Sequence, residues 1–318
     1  MRTKTSVTVG YAGSRGKHLL RSNDVNTAQF TTLPDGTVFI PAGTPRPNTA
    51  FSTIELKSSD GESWYNAFIL DIRKRFSAGF SVQSSYTLSK SEDTTQASTF
   101  FSDATNGTTT AFPEYIPDYN RGLSDFDTRH AWVVNFTVDI PGTDALGGVF
   151  SGWQASGIWN MRSGQPLTAF VQSNRSRSLW NPSLGPGIGQ DRPSYAPGYG
   201  PDNAVLGRVD QWFNPSAFVL QPAGTFGNTG RGDFIGPNTR TLDVALTRRA
   251  TFKPLGADGR LEFRIEAFNL LNRANFGAPA LIAFAGTASD EAPLPTFGRI
   301  TTTVTSARQI QLGVKVYF

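Results

Sequence analysis

The residue types that carry catalytic or metal chemistry are few in this sequence, and their clearest group is the stretch SDFDTRH at positions 124–130. It places Asp125, Asp127 and His130 close together. Zinc and the octahedral cations need further ligands in a fixed geometry, and no neighbouring residue completes the set. We therefore interpret the stretch as hydrogen bonding at the start of a strand, and we expect no metal ion and no cofactor.

Two glycine-rich motifs suggest chemistry without meeting its requirements. GRGDF at 230–234 contains the adhesion tripeptide Arg-Gly-Asp, which a glycine-rich loop readily holds by chance. LGPGIGQ at 184–190 neither follows a strand nor opens a helix, as a phosphate-binding loop must. The two histidines, His18 in a loop and His130 at a strand start, complete no Ser-His-Asp constellation. We therefore predict that the protein is not an enzyme.

The composition excludes further classes of function. The absence of cysteine rules out disulfides, thiolate metal sites and cysteine nucleophiles. The net charge of +4 comes from scattered Lys and Arg residues, so we expect no nucleic-acid partner. Only 17% of residues are charged and 38% are hydrophobic, which indicates a water-facing surface of uncharged polar residues. The chain also has no apolar run long enough for a transmembrane helix.

Strict alternation of apolar and polar residues is the dominant pattern, as in the terminal stretch RQIQLGVKVYF at 308–318. Alternate residues of a strand point to opposite faces, so each such stretch predicts a strand with one apolar and one polar face. Soluble strands are most often about 5–6 residues long, and these are about twice that. The eight predicted strands are 4–12, 64–76, 79–90, 128–140, 152–163, 240–251, 259–270 and 308–318.

The connections between these strands alternate in length, which predicts which side of a membrane each one occupies. The short ones hold turn formers, as in SAG, PGTDALGG and KPLGADG. The long ones cover 13–63, 91–127, 164–239 and 271–307. Antiparallel strands would gather the long loops on one side, as in outer-membrane barrels with short periplasmic turns and long extracellular loops. Both termini would then be periplasmic.

In hydrocarbon a sheet can cross only as a closed barrel, with its apolar face toward lipid and its polar face toward a lumen. Aromatic residues gather at the two interfaces of such a barrel. The predicted aromatic girdle is Trp64, Tyr65, Trp132 and Trp153. The predicted lumen-facing residues are Asp71, Arg73, Arg75, Gln83, Asn135, Asp139, Arg162, Glu262, Arg264 and Glu266, and we expect them to pair with one another across neighbouring strands.

A series of motifs resembles the C-terminal barrel region of TonB-dependent outer-membrane receptors, and most closely their Oar-like group, which carries a carboxypeptidase-regulatory-like domain. The motifs follow one another in the family's order over nearly the whole chain. They include YAGSRGKHLLRSNDVN, WYNAFILDIRKRFSAGFSVQSSYTLSKSED, SDFDTRHAWVVNFTVDIPG, GWQASGIWNMRSGQPLT, WFNPSAFVLQPAGTFGN, RIEAFNLLNRANFG and FGRITTTVTSARQIQLGVKVYF.

This resemblance implies a fold and a function. Members of the family are barrels of about 22 strands, filled by a plug, that import nutrients with energy delivered by TonB. Residues 1–318 would be the last third or so of such a barrel, a fragment not competent for transport alone, because the plug, the TonB box and the signal peptide have no match here. TonB would act only through that N-terminal part, and the nutrient is unknown.

The resemblance also gives the last strand a role in assembly. Val314, Val316 and Phe318 resemble the signal that the barrel-assembly machinery reads, and an unpaired strand edge can be captured by β-augmentation. The expected location is the outer membrane, in contact with its lipid.

Two alternatives remain at this point: a free-standing eight-stranded barrel, with 4–12 paired to 308–318, and a secreted soluble β-protein that binds carbohydrate through loop aromatics such as Trp180, Trp212 and Phe213.

Overall fold

Eight long strands form one antiparallel sheet in the computed structural model, which describes residues 4–94, 116, 118–142, 151–180, 191–252, 254, 256 and 259–318. Each strand pairs with its neighbours in the sequence, so the sheet is an up-and-down meander. The strands are β1 (Thr5–Asp24), β2 (Glu55–Ser77), β3 (Phe80–Asp93), β4 (His130–Ile140), β5 (Trp153–Arg162), β6 (Thr239–Thr251), β7 (Arg260–Phe268) and β8 (Gln309–Tyr317).

The first hairpin is longer than its sequence predicts. β1 and β2 remain paired from Thr5 with Lys74 to Asp24 with Glu55, so the predicted loop 13–63 is wrong at both of its ends. Residues 13–24 and 55–63 are mostly polar on both faces, and they therefore carry no alternation. At about 3.3 Å per residue β1 is roughly 65 Å long, against an apolar band of about 25 Å in membrane barrels. The far half of this hairpin projects beyond such a band.

The register carries most apolar side chains of the eight strands to one face, although Ile69, Val133 and Ile158 lie on the other. Val9 pairs with Leu70, Leu70 with Tyr86, and Tyr86 with Trp132. The same face continues through Trp159, Leu242, Val244, Leu246, Ile265 and Leu312. We call this surface the apolar face and the opposite surface the polar face.

The apolar face is not a protein interior. Phe68, Phe80 and Phe263 are exposed to 42%, 40% and 38%, and none of them belongs to the buried hydrophobic cluster. That cluster lies entirely in the long connections, in residues between Leu167 and Phe297. A soluble sandwich would bury the apolar face of its sheet. The structure instead leaves the apolar face exposed, and its buried hydrophobic cluster lies in the long connections.

Short elements organise the long connections. Five short strand pairings and one 3₁₀ helix, Pro215–Ala217, occur among the described residues. Thr31–Thr32 pairs with Val38–Phe39, Gly122–Leu123 with the end of β3, Pro166–Leu167 with Phe234–Ile235, Phe170–Val171 with Ile282–Phe284, and Ser194–Tyr195 with Phe218–Val219. In this described part of the chain, no helix has the length and apolar character needed to span a membrane.

The two outer edges of the sheet are open. Within the described residues β1 pairs only with β2, and β8 pairs only with β7. The pairing of 4–12 with 308–318, which a closed eight-stranded barrel requires, does not occur between these strands.

We predict that the two faces respond oppositely to charge. Val134→Lys puts an ammonium on the apolar face in the middle of β4, and we expect it to destabilise the lipid-inserted state by about 2–4 kcal/mol. Asn135→Lys, one residue further and on the polar face, is the matched control and should cost less than about 1 kcal/mol. Urea unfolding in lipid vesicles measures both, and equal losses would contradict the assignment of faces.

Candidate functional site

The residues predicted to face a lumen share the polar face. The register places nine of them there, and the alternation of β2 adds Arg75. Several pair across neighbouring strands: Arg73 donates to Gln83 at 3.3 Å, and Gln154 donates to Asp139 at 2.8 Å. That the polar face lines a water-filled lumen inside a closed barrel stays a prediction.

The sequence prediction missed one member of this face. Arg249 donates from Nε to Glu262 at 2.8 Å, and Glu262 is almost completely buried. The basic pair Arg248 and Arg249 hid the alternation, because Arg248 belongs to the apolar face and Arg249 to the polar one. Arg264 and Glu266, further along β7, form a second ion pair at 2.7 Å.

One of the predicted girdle residues lies on the wrong face. Trp64 and Trp132 lie toward the long-loop end of the apolar face, and Trp153 lies at its short-turn end. Tyr65 lies on the polar face, since adjacent strand residues point in opposite directions. Its assignment to the outward girdle beside Trp64 is therefore corrected.

The described parts of the four long connections, 25–54, 118–129, 163–180 with 191–238, and 269–308, form what we call the loop cap. The cap covers the polar face where the strands reach it. Ala67, Ser89, Ser91 and Asp93 on that face are buried, whereas Phe68, Leu88 and Lys90 on the apolar face are exposed. Ser89 and Ser91 bond to Thr128 and Ser124 of the cap at 2.9 Å. The cap thus covers the polar face, and it reaches the apolar face at Arg121, whose guanidinium lies 4.5 Å from the Trp64 ring centroid.

The cap has a hydrophobic core of its own. Phe213 stacks on Phe297 with ring centroids 4.8 Å apart. Phe213 also packs against Phe218 and Phe234 at 6.1 and 5.2 Å, and Phe297 packs against Phe218 at 5.1 Å. Phe213 and Trp180 are buried, so the expectation that they stack on a ligand at the outer surface is wrong. Trp212 packs beside the same cluster and donates to the carbonyl of Ile235 at 3.2 Å.

A buried arginine fastens the cap to the sheet. The Arg231 guanidinium, which is fully buried, donates from Nη2 to the Asp93 carboxylate at 2.5 Å and to the Gly122 carbonyl at 3.1 Å. Its Nε donates to the Asn120 carbonyl at 2.7 Å. A side chain at Gly122 would collide with the Arg231 backbone, since a Cβ there would lie 2.1 Å from its carbonyl oxygen. This contact joins residues 138 positions apart, which no local sequence pattern could reveal.

The motifs that suggested chemistry take structural roles. Arg231 and Asp233 of GRGDF are engaged within the protein, Asp233 by the Tyr195 hydroxyl at 2.8 Å, so the tripeptide is not displayed for adhesion. In SDFDTRH, Asp127 accepts from the Ser91 amide at 2.6 Å and His130 bonds Tyr86 at 2.7 Å. No group of three potential metal ligands occurs in the described ranges. LGPGIGQ, 184–190, lies outside the described residues.

One cleft of the cap has the size and lining of a ligand site. It encloses about 380 Å³ between Val38, the 118–121 segment and Asn228. The Arg192 guanidinium lies 3.6 Å from the Tyr119 ring centroid at its wall. Small-molecule sites usually have volumes of about 300–1,000 Å³ and combine apolar walls with a few polar groups.

The predicted assembly signal lies on a fully accessible strand. Val314, Val316 and Phe318 are all exposed, Phe318 to 95%, at the open edge formed by β8. Recognition by the assembly machinery stays a prediction.

Comparisons with known proteins agree with the class that these faces define, a membrane β-barrel. The model of the family "Outer membrane beta barrel domain" matches residues 1–311, and the chain belongs to this family. Its location is the outer membrane. Among solved structures, the outer membrane transporter YddB from Escherichia coli matches with a TM-score of 0.46 and 11% identity. All of this chain aligns, and it spans 31% of the length of that structure. No curated protein matches.

Membership in an outer-membrane family and the bare apolar face together remove the secreted soluble alternative.

We predict that Arg231→Met releases the cap from the sheet. The change leaves the buried Asp93 carboxylate without its charge partner, which should cost about 3–5 kcal/mol locally. Arg208→Met removes an exposed partner of Asp210 and should cost less than about 1 kcal/mol. Hydrogen exchange of residues 118–129 and 228–236 in detergent measures both, and unchanged protection in Arg231→Met would contradict this role.

We also predict that the cap loosens as pH rises from about 4 to about 7. Burial raises the pKa of Asp191 to about 7, although it accepts from the amide and hydroxyl of Ser176. The folded state therefore holds a proton that the unfolded chain has released above about pH 4, and stability falls through this range by up to a few kcal/mol. Amide exchange near Ser176 should accelerate with pH beyond its intrinsic rate. Asp191→Asn should abolish this additional acceleration of exchange with pH. The same acceleration in the variant would overturn the role given to Asp191.

Proposed function

We propose that the chain is the C-terminal barrel portion of a TonB-dependent outer-membrane receptor that takes up a nutrient. The observation that carries the proposal is the position of the loop cap, which lies over the polar face while the apolar face is left bare. In a receptor barrel this arrangement narrows the outer mouth of the lumen and leaves lipid contact undisturbed. The ordered resemblance of the motifs to this receptor group supports the same conclusion.

The size of the cap favours a barrel larger than eight strands. The interior of an eight-stranded barrel is just wide enough for its own side chains. Here Gly122–Leu123 extends the sheet beside the end of β3, and the buried Arg231 side chain reaches past it to Asp93 on the polar face. Such segments need a wider mouth, as in barrels of about 22 strands.

We place nutrient capture in the cleft beside Tyr119 and Arg192, with Asn228 as a further polar contact. Arg192 is buried against the Tyr119 ring, so the cation that a ligand with anionic groups would meet is the exposed Arg121, which also lines this cleft. TonB would act through an N-terminal plug domain of the receptor. Transport, rather than catalysis, is the role we propose.

A free-standing eight-stranded barrel is the competing function, and introduced cysteines distinguish the two. The natural chain has none, so the background is clean. In lipid, the pair Val9→Cys with Leu70→Cys joins register partners of β1 and β2 and should form a disulfide, as the positive control. We predict that Val9→Cys combined with Leu312→Cys or with Val314→Cys does not. A β1–β8 disulfide would refute the proposal and establish closure at eight strands.

A further inference from the structure

A second cavity, of about 280 Å³, lies where the loop cap meets the polar face. Arg162 at the end of β5 and Thr239 at the start of β6 line it, and they are register partners on the polar face. Thr128 lines it from the cap, and the carbonyl of Thr128 accepts from the polar-face residue Ser89 at 2.9 Å. We call this space the Arg162 cavity. It belongs to the polar side of the sheet and is separate from the cleft beside Tyr119.

Arg162 is the one charged residue among the described residues that line the cavity. Its side chain is exposed, and it makes no hydrogen bond or ion pair with the part of the chain that the structure describes. Its register partners Ala131 and Thr239 are both neutral. A guanidinium always carries its charge, so this one is open to an anion that comes from outside the chain.

Two other arginines of the polar face are engaged by acidic neighbours. Arg249 donates to Glu262 at 2.8 Å, and Arg264 pairs with Glu266 at 2.7 Å. Their charges are therefore balanced within the sheet. The difference sets Arg162 apart as a ligand contact, because no acidic residue stands beside it in the described lining of the cavity.

Hydroxyl groups of the same cavity supply neutral donors. The hydroxyls of Thr128 and Thr239 make no hydrogen bond within the described ranges. The Ser163 hydroxyl oxygen accepts from the His130 amide at 3.1 Å, which leaves its O–H group able to donate. A carboxylate offers about four acceptor positions, so it can take two N–H groups of the guanidinium fork and hydroxyl donors as well.

The remaining wall is apolar and is fixed by close backbone packing. Leu167 is buried at the wall, and Phe276 and Val304 line it as well. A Cβ on Gly164 would collide with the carbonyl of Gly236, so these two segments meet backbone to backbone. The volume is close to the lower limit of about 300 Å³ for small-molecule sites. The cavity thus suits a small apolar or aromatic group that carries one polar end.

We propose that the Arg162 cavity binds a small monocarboxylate with an apolar body, such as an aromatic acid. The single guanidinium matches a single negative charge, whereas a dianion would bring a second charge that no lining cation balances. The inference rests on the proposed function, because an uptake route is what delivers a solute to the polar side of the cap. Arg162 then selects anionic over neutral solutes at the outer end of the lumen.

The experiment measures how well a carboxylate protects a cysteine placed in the cavity. Gln165 is exposed and lines the cavity, and the natural chain has no cysteine, so Gln165→Cys provides one reporter thiol. The full chain is inserted in lipid vesicles and treated with a water-soluble maleimide. The probes are benzoate and, as its neutral match, benzyl alcohol. Partition of either probe into lipid does not affect this readout, because only occupation of the cavity shields the thiol.

Arg162→Gln is compared with Arg240→Gln in this background. Arg240 follows Thr239 on β6, is exposed and lies on the apolar face, so the control removes the same charge one residue away. An unchanged labelling rate without probe shows that the cap is intact in both variants. Arg162→Lys keeps the charge and removes the guanidinium fork, which separates paired hydrogen bonding from charge alone.

We expect millimolar benzoate to slow labelling of the reporter chain, and benzyl alcohol to be at least about tenfold less effective. Arg162→Gln should raise the half-protecting benzoate concentration about 10- to 100-fold, Arg162→Lys should raise it by less, and Arg240→Gln should leave it within about twofold. Equal values in Arg162→Gln and Arg240→Gln, or equal protection by the acid and the alcohol, would overturn the site.

The failure of this site can be told apart from failure of the proposed function. The β1–β8 disulfide test is run on the same vesicle preparation. A β1–β8 disulfide would refute the receptor barrel. A reporter thiol that benzoate does not protect, in a chain that forms no such disulfide, would refute the carboxylate site alone.

Discussion

The pairing of backbone groups in the sheet is the constraint on which the rest of the structure depends. In hydrocarbon each unpaired N–H or C=O costs several kcal/mol, so strands that cross a membrane must satisfy one another. Here the pairing runs through consecutive antiparallel strands from β1 to β8. Because side chains alternate, a slip of one residue would exchange Leu246 with Thr247 and turn the apolar surface inward. The register therefore determines both stability and which chemistry meets lipid.

The separation of roles between sheet and loops follows from the same constraint. A sheet whose apolar face meets lipid cannot also use that face as a protein core. The cap consequently builds its own core from loop residues such as Phe213, Phe218 and Phe297, and attaches to the sheet through polar contacts. Arg231 and Asp93 are one such contact, and the serines of β3 provide others. This arrangement explains a chain that is rich in phenylalanine and yet leaves its strands uncovered.

The positions and faces of the strands could be predicted from the sequence because they depend on a short-range alternation of apolar and polar residues. Alternation located all eight strands and assigned most of their residues to the correct face, because a period of two is local. It failed for residues 13–24 and 55–63, where strands in water need no alternation, and at Tyr65, where two adjacent aromatic residues were given one role. The loop core could not be predicted, since its contacts join residues far apart and nothing near Phe213 distinguishes a buried ring from an exposed one.

The unpaired backbone groups at the two open edges of the sheet limit how this chain can be stable in a membrane. β8 presents nine residues whose outer groups have no strand partner in the described chain, and β1 presents another such edge at the far side of the sheet. Edges of this length invite pairing with another chain, and lipid makes them costlier than water does. Pairing with further strands of a larger barrel satisfies both edges without bending the sheet around the cap. Direct closure of β1 on β8 would also satisfy them, but it would leave an interior just wide enough for side chains, while the buried Arg231 and its partner Asp93 already lie on the polar side at the long-loop end.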